Sequence, residues 1–401
     1  SWFYKDKAQF EIASKNFTKF DIGIYYPLKG LSNNELASMA SSQHLCQGFG
    51  RITTRGQQTE FLKFLKGDAL KDKEDIFSGI NTTWNRIKGG GEVGAILYEI
   101  EEDFDFINPS RHIPKLLEAF QKIQLLEDSH WRKIKEKQIK EIIEACAGIY
   151  LEASASSSSG TPNSKMNINF EVLNRSETSI ILSSITSKID EKSIVKEVSL
   201  PNNKKISFKE TITLKTNQYS DPYWLRESSS IGAYAVGNQL LIGNPETPRP
   251  VKISFNLVIE GTPITITKNV VRRYAERDQG EIYEPFEIMP LITTRLKDKV
   301  IIFSNETPKK ISVVVKAGAN FISGKVSLQI PENWQISPKE IVFNIAQKDD
   351  QETVEFLVTP PNKESLGKLK VVASVQGKEF TKELVEIKCN HIPKQSVLLN
   401  S

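Results

Sequence analysis

Up to about residue 153, hydrophobic residues recur at three- and four-residue steps, the period of an amphipathic α-helix. The clearest runs are 113–123 and 134–149, which predict an α-hairpin with a break near Asp128. A shorter helix is predicted after Ser32, because Ser32, Asn33 or Asn34 can act as its N-cap and Glu35 follows closely.

From about residue 165 onward, apolar and polar residues alternate, as in strands with one buried face. Segments such as KMNINFEVLN and PVKISFNLVIEG carry this pattern, and it begins again after QGEIYEPFEIMP. Seven or so short strands in that last part predict an immunoglobulin-like sandwich. The pairs Glu260-Gly261 and Gln376-Gly377 predict hairpin turns.

Between the two patterns lies ASASSSSGTPNS at 153–164, a composition typical of a flexible joint. The fold predicted from the sequence is therefore α + β and multidomain, a mainly helical region followed by two immunoglobulin-like β-sandwiches. Its expected divisions are a helical region at 1–152, a Ser-rich linker at 153–164, a first β-sandwich at 165–275, a second, Ig-like β-sandwich at 276–392 and a tail at 393–401.

Length and composition narrow the class of protein. The 401 residues suffice for two to four domains, and 39% hydrophobic content is that of a globular protein. A net charge of +4 predicts no nucleic-acid partner, and no apolar run has the roughly 18 residues of a transmembrane segment. Because Ser1 is not an initiator Met, we expect a piece of a longer protein. Three widely spaced cysteines predict free or buried thiols.

Motifs for catalysis are missing from the sequence. The four histidines, at 44, 112, 130 and 391, do not have the spacing of a metal site on one helix face. No Gly-rich phosphate loop follows a strand, and no G-x-S-x-G elbow is present. We therefore assign no catalytic residue, no metal ligand and no cofactor to this chain.

Several segments carry a resemblance to a known family. They are FDIGIYYPLKGLSNNELAS, the stretch SSQHLCQGFGRITTRGQQTEFLKFLKGD at 41–68, DIFSGINTTWNRIKGG, the PYWL step and GEIYEPFEIMPLI. Together they resemble the large bacterial PIG-L (LmbE-like) deacetylases, in the portion C-terminal to the zinc-binding catalytic domain. The resemblance covers nearly the whole chain.

That family binds zinc through a His-Pro-Asp-Asp-Glu motif and a later His, and the motif is absent from this sequence. The resemblance implies a non-catalytic accessory portion of a zinc-dependent N-acetylglucosaminyl deacetylase, a hydrolase, that is inactive alone. Its implied partner is the N-terminal catalytic domain, which would hold the zinc, on a periplasmic or secreted glycan or cell-surface substrate. The alternative is a stand-alone extracytoplasmic carbohydrate-binding or adhesion protein.

Two groups of residues are candidates for binding. His44, Arg51, Arg55 and Gln58 lie in a polar segment that, in the family interpretation, forms a wall of the substrate cleft, since guanidinium groups bind carboxylates, phosphates and sugar hydroxyls. The alternative is a structural His44 satisfied by backbone carbonyls.

Tyr223 and Trp224 form the second group, as candidate glycan contacts. They lie in a long excursion at 217–250, and loops of that length are often functional. Their rings can stack on sugars through the apolar faces. The alternative is an aromatic pair that anchors the loop on its own sandwich.

Overall fold

The computed structural model describes residues 4–72, 75–389 and 391–400, except the side chains of residues 393 and 400. The chain is divided into two compact units, Ser1–Gly94 and Ala95–Ser401. It combines helices with many short strands, so the predicted mixture of α and β structure is confirmed. The boundary, however, lies well before the predicted end of the helical region at residue 152.

The first unit consists of short elements. They are α1 (Lys7–Ala13), β1 (Thr18–Asp21), β2 (Tyr25–Tyr26), β3 (Leu31–Ser32), α2 (Asn33–Ser42), β4 (Thr59–Leu62) and the start of α3 (Gly90–Glu102). Strands β1 and β4 pair, as do β2 and β3. The predicted helix after Ser32 is confirmed as α2, where the Ser32 hydroxyl accepts from the Glu35 backbone and the Glu35 carboxylate accepts from the Ser32 backbone.

The predicted α-hairpin is confirmed, but it belongs to the second unit. It consists of α4 (Ile113–Gln124) and α5 (Ser129–Cys146), and Asp128 caps α5 by accepting from the His130 and Trp131 backbones. Its buried residues include Leu116, Phe120 and Ile143.

The strands that follow form two larger sheets and one short pair. They are β5 (Tyr150–Ala155), β6 (Ser159–Gly160), β7 (Lys165–Leu173), β8 (Ile180–Ser187), β9 (Lys192–Ser199), β10 (Ile206–Thr213), β11 (Lys252–Ile259), β12 (Thr262–Asn269), β13 (Val271–Glu276), β14 (Gly280–Pro285) and β15 (Glu287–Ile288). One sheet has the order β10-β7-β5-β13-β14 and the other β12-β11-β8-β9. Phe170 of the first sheet meets Phe255 of the second with ring centroids 6.1 Å apart, so the two sheets share an interior.

The α-hairpin packs against this β region. Gln121 of α4 donates to the Thr262 hydroxyl of β12 at 3.3 Å, and Lys268 of β12 forms an ion pair with Glu144 of α5. The helical pattern therefore extends across two units, and its second half is part of the β region's fold.

The predicted flexible linker at 153–164 is wrong. Residues 150–155 form β5, which lies between two other strands of the five-stranded sheet, and Ala153 and Ala155 are buried. Ser159 and Gly160 form β6, paired with β15. Small side chains suit a crowded interior as well as a flexible joint, and composition alone does not distinguish the two. The Ser158 carbonyl accepts from the Glu287 N–H at 2.9 Å, so the serine backbone takes part in pairing with β15.

A second β region is formed by β16 (Ile292–Leu296), β17 (Lys309–Ala317), β18 (Ile322–Gln329), β19 (Gln335–Ser337), β20 (Glu340–Ile345), β21 (Gln351–Thr359), β22 (Lys370–Val375) and β23 (Lys378–Phe380). Its sheets have the orders β16-β17-β21-β19 and β20-β18-β22-β23. Val313, Phe356, Val326, Phe343 and Ala373 from both sheets share one hydrophobic core.

The predicted tail at 393–401 is wrong over the described residues. The chain instead forms a hairpin of β24 (Lys382–Cys389) and β25 (Ile392–Asn400), and Leu398 is buried. The two predicted turns are confirmed, since Glu260, Gly261, Gln376 and Gly377 all have the positive φ that such hairpins require.

Candidate functional site

The long excursion at 217–250 contains no strand, and two short 3₁₀ turns, Tyr223–Leu225 and Gln239–Leu241, are its regular elements. Its start is fixed to β15. The Ser220 backbone N–H donates to the Ile288 carbonyl at 2.9 Å, and the Ile288 N–H donates to the Ser220 hydroxyl at 2.8 Å. The excursion is thus an ordered part of the first β region.

Tyr223 holds the excursion together from inside. Its side chain is buried, and its hydroxyl donates to the Asn244 carbonyl at 3.2 Å. Its backbone N–H donates to the Thr247 hydroxyl at 2.8 Å, and that hydroxyl donates to the Asp221 carbonyl at 3.2 Å. Tyr223 therefore anchors the loop, as the alternative interpretation of this residue holds.

Trp224 has a different position from its neighbour. Its ring meets the Tyr223 ring edge to face at 4.8 Å and lines a cavity of about 430 Å³. This volume is in the range of small-molecule pockets. The structure therefore separates the predicted aromatic pair: Tyr223 is buried, and Trp224 lies at the cavity wall.

Four prolines also line this cavity: Pro222, Pro245, Pro248 and Pro250. Proline fixes φ near −65°, so a wall built from several prolines changes shape little when a ligand enters. The conformational entropy lost on binding is then small. Residues from both ends of the 217–250 excursion line the cavity. No single local motif in the sequence therefore predicts the cavity.

A partly buried ion pair lines the cavity where the excursion meets β15. Arg249 Nη1 lies 2.5 Å from Glu287 Oε1, with 19% and 13% of their side chains exposed, and Arg249 also pairs with Glu246. Burial raises the pKa of the Glu287 carboxyl, while Ser220 and Arg249 lower it, and burial prevails. Arg249 is therefore engaged in holding the loop.

Other cations at the cavity have no such partner. Among the described residues, no carboxylate lies within ion-pairing distance of Lys188 or Lys252, which are exposed. Lys215 donates to the Asp190 carbonyl at 3.2 Å, a neutral acceptor that leaves its charge uncompensated. Five cationic side chains and two carboxylates line the cavity, so its lining carries excess positive charge.

The structure also places the four predicted cleft-wall residues, all in the first unit. Arg55 pairs with Glu35 at 2.7 Å. Hydrogen bonds from Ser32 and Arg55 lower the pKa of Glu35. The Gln58 side-chain oxygen accepts from Asn34 at 3.0 Å. Arg55 and Gln58 therefore both lie at the N-terminal end of α2.

His44 and Arg51 are held elsewhere. His44 follows the C-terminal end of α2, is exposed, and its ring lies 2.8 Å from the Gln47 side-chain oxygen. The Arg51 carbonyl accepts from the Ser38 hydroxyl at 2.9 Å, and its side chain is exposed. His44 therefore lies beyond the end of α2 opposite Arg55, about 15 Å along this ten-residue helix. The bond to Ser38 places the Arg51 backbone beside the middle of α2.

The first unit also has an unusual distribution of apolar side chains. Among its described residues, Val93 is the one apolar side chain that is buried. Leu28 is 100% exposed, Ile52 97%, Leu65 84% and Leu45 83%. The first unit therefore leaves most of its large apolar side chains in contact with solvent.

Within the described ranges, no group of three or more His, Cys, Asp and Glu side chains is arranged to hold a metal ion. His112 is buried, accepts from the Asp105 backbone at 3.0 Å and stacks on Phe104. No helix in the described part of the chain is long and apolar enough to span a membrane.

No family model and no curated protein matches the chain. Among solved structures, it is similar to the crystal structure of Spo0M, a sporulation control protein from Bacillus subtilis, with 10% identity and a TM-score of 0.18. The match covers 52% of this chain and 90% of Spo0M.

The polar residues of the cavity were not among the predicted sites. Lys188, Lys252 and Glu287 come from three separate parts of the sequence and meet only in the fold. The signal that was available is the density of Pro and aromatic residues in 217–250, which indicates an ordered binding loop.

Proposed function

We propose that this chain is the non-catalytic accessory portion of a zinc-dependent N-acetylglucosaminyl deacetylase of the PIG-L (LmbE-like) family. Its role is to support the catalytic domain and to position it on a periplasmic or secreted glycan substrate. The observation that carries this proposal is the first unit, whose described residues bury one apolar side chain and expose many. The sequence resemblance supplies the partner.

The physical reason is the cost of leaving such surface in water. Burying one large aliphatic side chain stabilises a protein by about 1.5–3 kcal/mol. The chain by itself gains almost none of this stabilisation from four exposed side chains, those of Leu28, Leu45, Ile52 and Leu65. A partner that covers these side chains would supply it, and the catalytic domain of the family is the partner we propose.

We extend the proposal to a cleft-wall role for His44, Arg51, Arg55 and Gln58, supported by the two of them that lie at the N-terminal end of α2. Arg55 is already oriented by Glu35, and Gln58 by Asn34. Donors fixed in this way bind substrate hydroxyls with little further ordering. We propose that this surface completes the substrate cleft when the catalytic domain is bound, with zinc held by that domain.

The docking surface is tested by affinity. The catalytic domain of the natural protein, produced separately, is titrated with the wild-type chain and with Ile52→Glu. We expect Ile52→Glu to weaken binding at least tenfold, because the new carboxylate would have to be desolvated. Ile231→Glu is the matched control, since Ile231 is equally exposed but lies in the second unit. Equal affinity of all three chains refutes this docking surface.

A second candidate function is a stand-alone extracytoplasmic carbohydrate-binding or adhesion protein. The cavity beside Trp224 favours it, since an aromatic wall with polar groups around it suits a sugar ring. We also infer that both β regions are immunoglobulin-like sandwiches, supported by two facing sheets around one core in the second region. Glycan binding at this cavity is part of both candidate functions.

A further inference from the structure

The charges around the Trp224 cavity differ from those of a site for a neutral sugar. Neutral glycans are bound through hydroxyls, which need both donors and acceptors, and carboxylates are useful acceptors for them. Here the two carboxylates, Glu246 and Glu287, are both engaged by Arg249. The remaining charged groups at the wall are cations.

Three lysines supply this uncompensated charge. Lys188 follows β8, Lys215 follows β10 and Lys252 begins β11, so each is placed by the end of a strand. Two of them, Lys188 and Lys252, have no carboxylate within ion-pairing distance among the residues that the structure describes. An ammonium group is a compact, strongly hydrated charge that pairs readily with an anion brought to it.

Arg226 also lines the cavity, but unlike Lys188 and Lys252 it interacts with a carboxylate. Its positive charge acts on the nearby carboxylate of Asp221. Burial raises the pKa of Asp221, and the charges of Lys382 and Arg226 partly offset this rise. The wall thus combines an aromatic face, four prolines and lysines that have no ion-pair partner among the described residues.

We propose that this cavity binds a glycan whose sugar carries an anionic group, with the ring against Trp224 and the anion at Lys188 and Lys252. This inference rests on the proposed glycan binding and names the class of sugar. The protein itself has excess positive charge at the cavity, although its net charge is only +4 over 401 residues. The proposed preference for an anionic sugar therefore comes from the lysines at the cavity and not from the net charge of the chain.

The test uses isothermal titration of the full chain with three hexasaccharides. They are a hyaluronan hexasaccharide, its carboxyl-reduced counterpart and chitohexaose, which is neutral. Each exposed ion pair changes affinity several-fold, so we expect the acidic sugar to bind roughly tenfold more tightly than the reduced one. A carboxyl-reduced chondroitin sulfate hexasaccharide, which keeps its sulfates and has no carboxylate, distinguishes a sulfate from a carboxylate as the preferred anion.

Variants connect the preference to the residues. The double variant Lys188→Glu and Lys252→Glu is expected to abolish the preference for the acidic sugar while chitohexaose binding stays the same. Trp224→Ala is expected to weaken binding of every sugar. Lys370→Glu is the matched control, an exposed lysine on β22 that does not line the cavity.

The outcomes separate the inference from the function on which it rests. Equal affinity for the acidic and reduced sugars overturns the anionic preference and leaves glycan binding in place. A preference that persists in the double lysine variant also overturns the assignment. Absence of binding to every sugar contradicts glycan binding at this cavity and the inference together.

Discussion

The separate positions of Tyr223 and Trp224 lead to opposite consequences for two adjacent substitutions. Tyr223 is buried and bonded to the Asn244 carbonyl, whereas Trp224 lines the cavity. Replacing Tyr223 by Ala should lower stability with a secondary effect on binding. Replacing Trp224 by Ala should lower binding with a smaller effect on stability.

The magnitudes follow from the contacts. Truncating a buried aromatic side chain to Ala costs about 3 kcal/mol or more of unfolding free energy. Tyr223→Phe removes only the hydroxyl and leaves the Asn244 carbonyl unpaired, which costs about 1 kcal/mol. Trp224→Ala removes the edge-to-face contact at 4.8 Å, a loss of about 1 kcal/mol.

Urea unfolding followed by circular dichroism measures these differences for the three variants and the wild type. The double variant of Tyr223 and Trp224 isolates their coupling, because the ring contact is lost in either single variant. Glycan titrations on the same samples complete the comparison. Unchanged stability in Tyr223→Ala, or a larger stability loss in Trp224→Ala, would refute the assignment of anchor and cavity wall.

Three further predictions concern the fold. Phe356→Ala should destabilise the chain by about 3 kcal/mol or more. Leu357 is its half-exposed neighbour on β21, so Leu357→Ala should destabilise the chain by clearly less. Equal losses of stability in urea unfolding would argue against the shared core. Limited proteolysis should leave residues 153–164 uncut while exposed loops are cleaved, and early cleavage there would show that the segment is not packed. The pKa of Glu35 is lowered in the fold, so its carboxylate stabilises the fold fully above the ordinary pKa of 4.5. This stabilisation is lost as the pH falls through the lowered pKa of the folded state. Glu35→Gln should therefore flatten the acid side of a plot of melting temperature against pH. A profile identical to that of the wild type would contradict it.

The sequence predicted best where one periodicity governs a whole element. The α-hairpin from Ile113 onward has an apolar stripe that its tertiary packing also uses, so the local pattern and the fold agree. The hairpin turns at Gly261 and Gly377 were predictable for a similar reason, since positive φ is a local requirement. Neither depends on distant parts of the chain.

Predictions failed where packing depends on distant partners. The Ser-rich segment at 153–164 has the composition of a linker, but β5 has neighbours on both sides, β7 and β13, and the second neighbour is more than 100 residues away in sequence. Likewise, Lys348 from the second β region donates to the Ser157 hydroxyl at 2.5 Å. No local pattern contains these contacts.

The candidate site shows the same division. The aromatic residues of 217–250 could be identified from the sequence of one loop. Which of Tyr223 and Trp224 is buried depends on the contacts of Tyr223 with Asn244 and Thr247. The cations of the cavity lie at the ends of other strands. Only the fold brings Lys188 and Lys252 to the same wall.

The most direct test of the proposed function is the coding sequence upstream of Ser1 in the natural gene. If this chain is the accessory portion of a zinc-dependent deacetylase, that sequence encodes, in the same reading frame, a His-Pro-Asp-Asp-Glu motif followed by a later His. An in-frame start just before Ser1, or an upstream region that encodes neither feature, would contradict the accessory role.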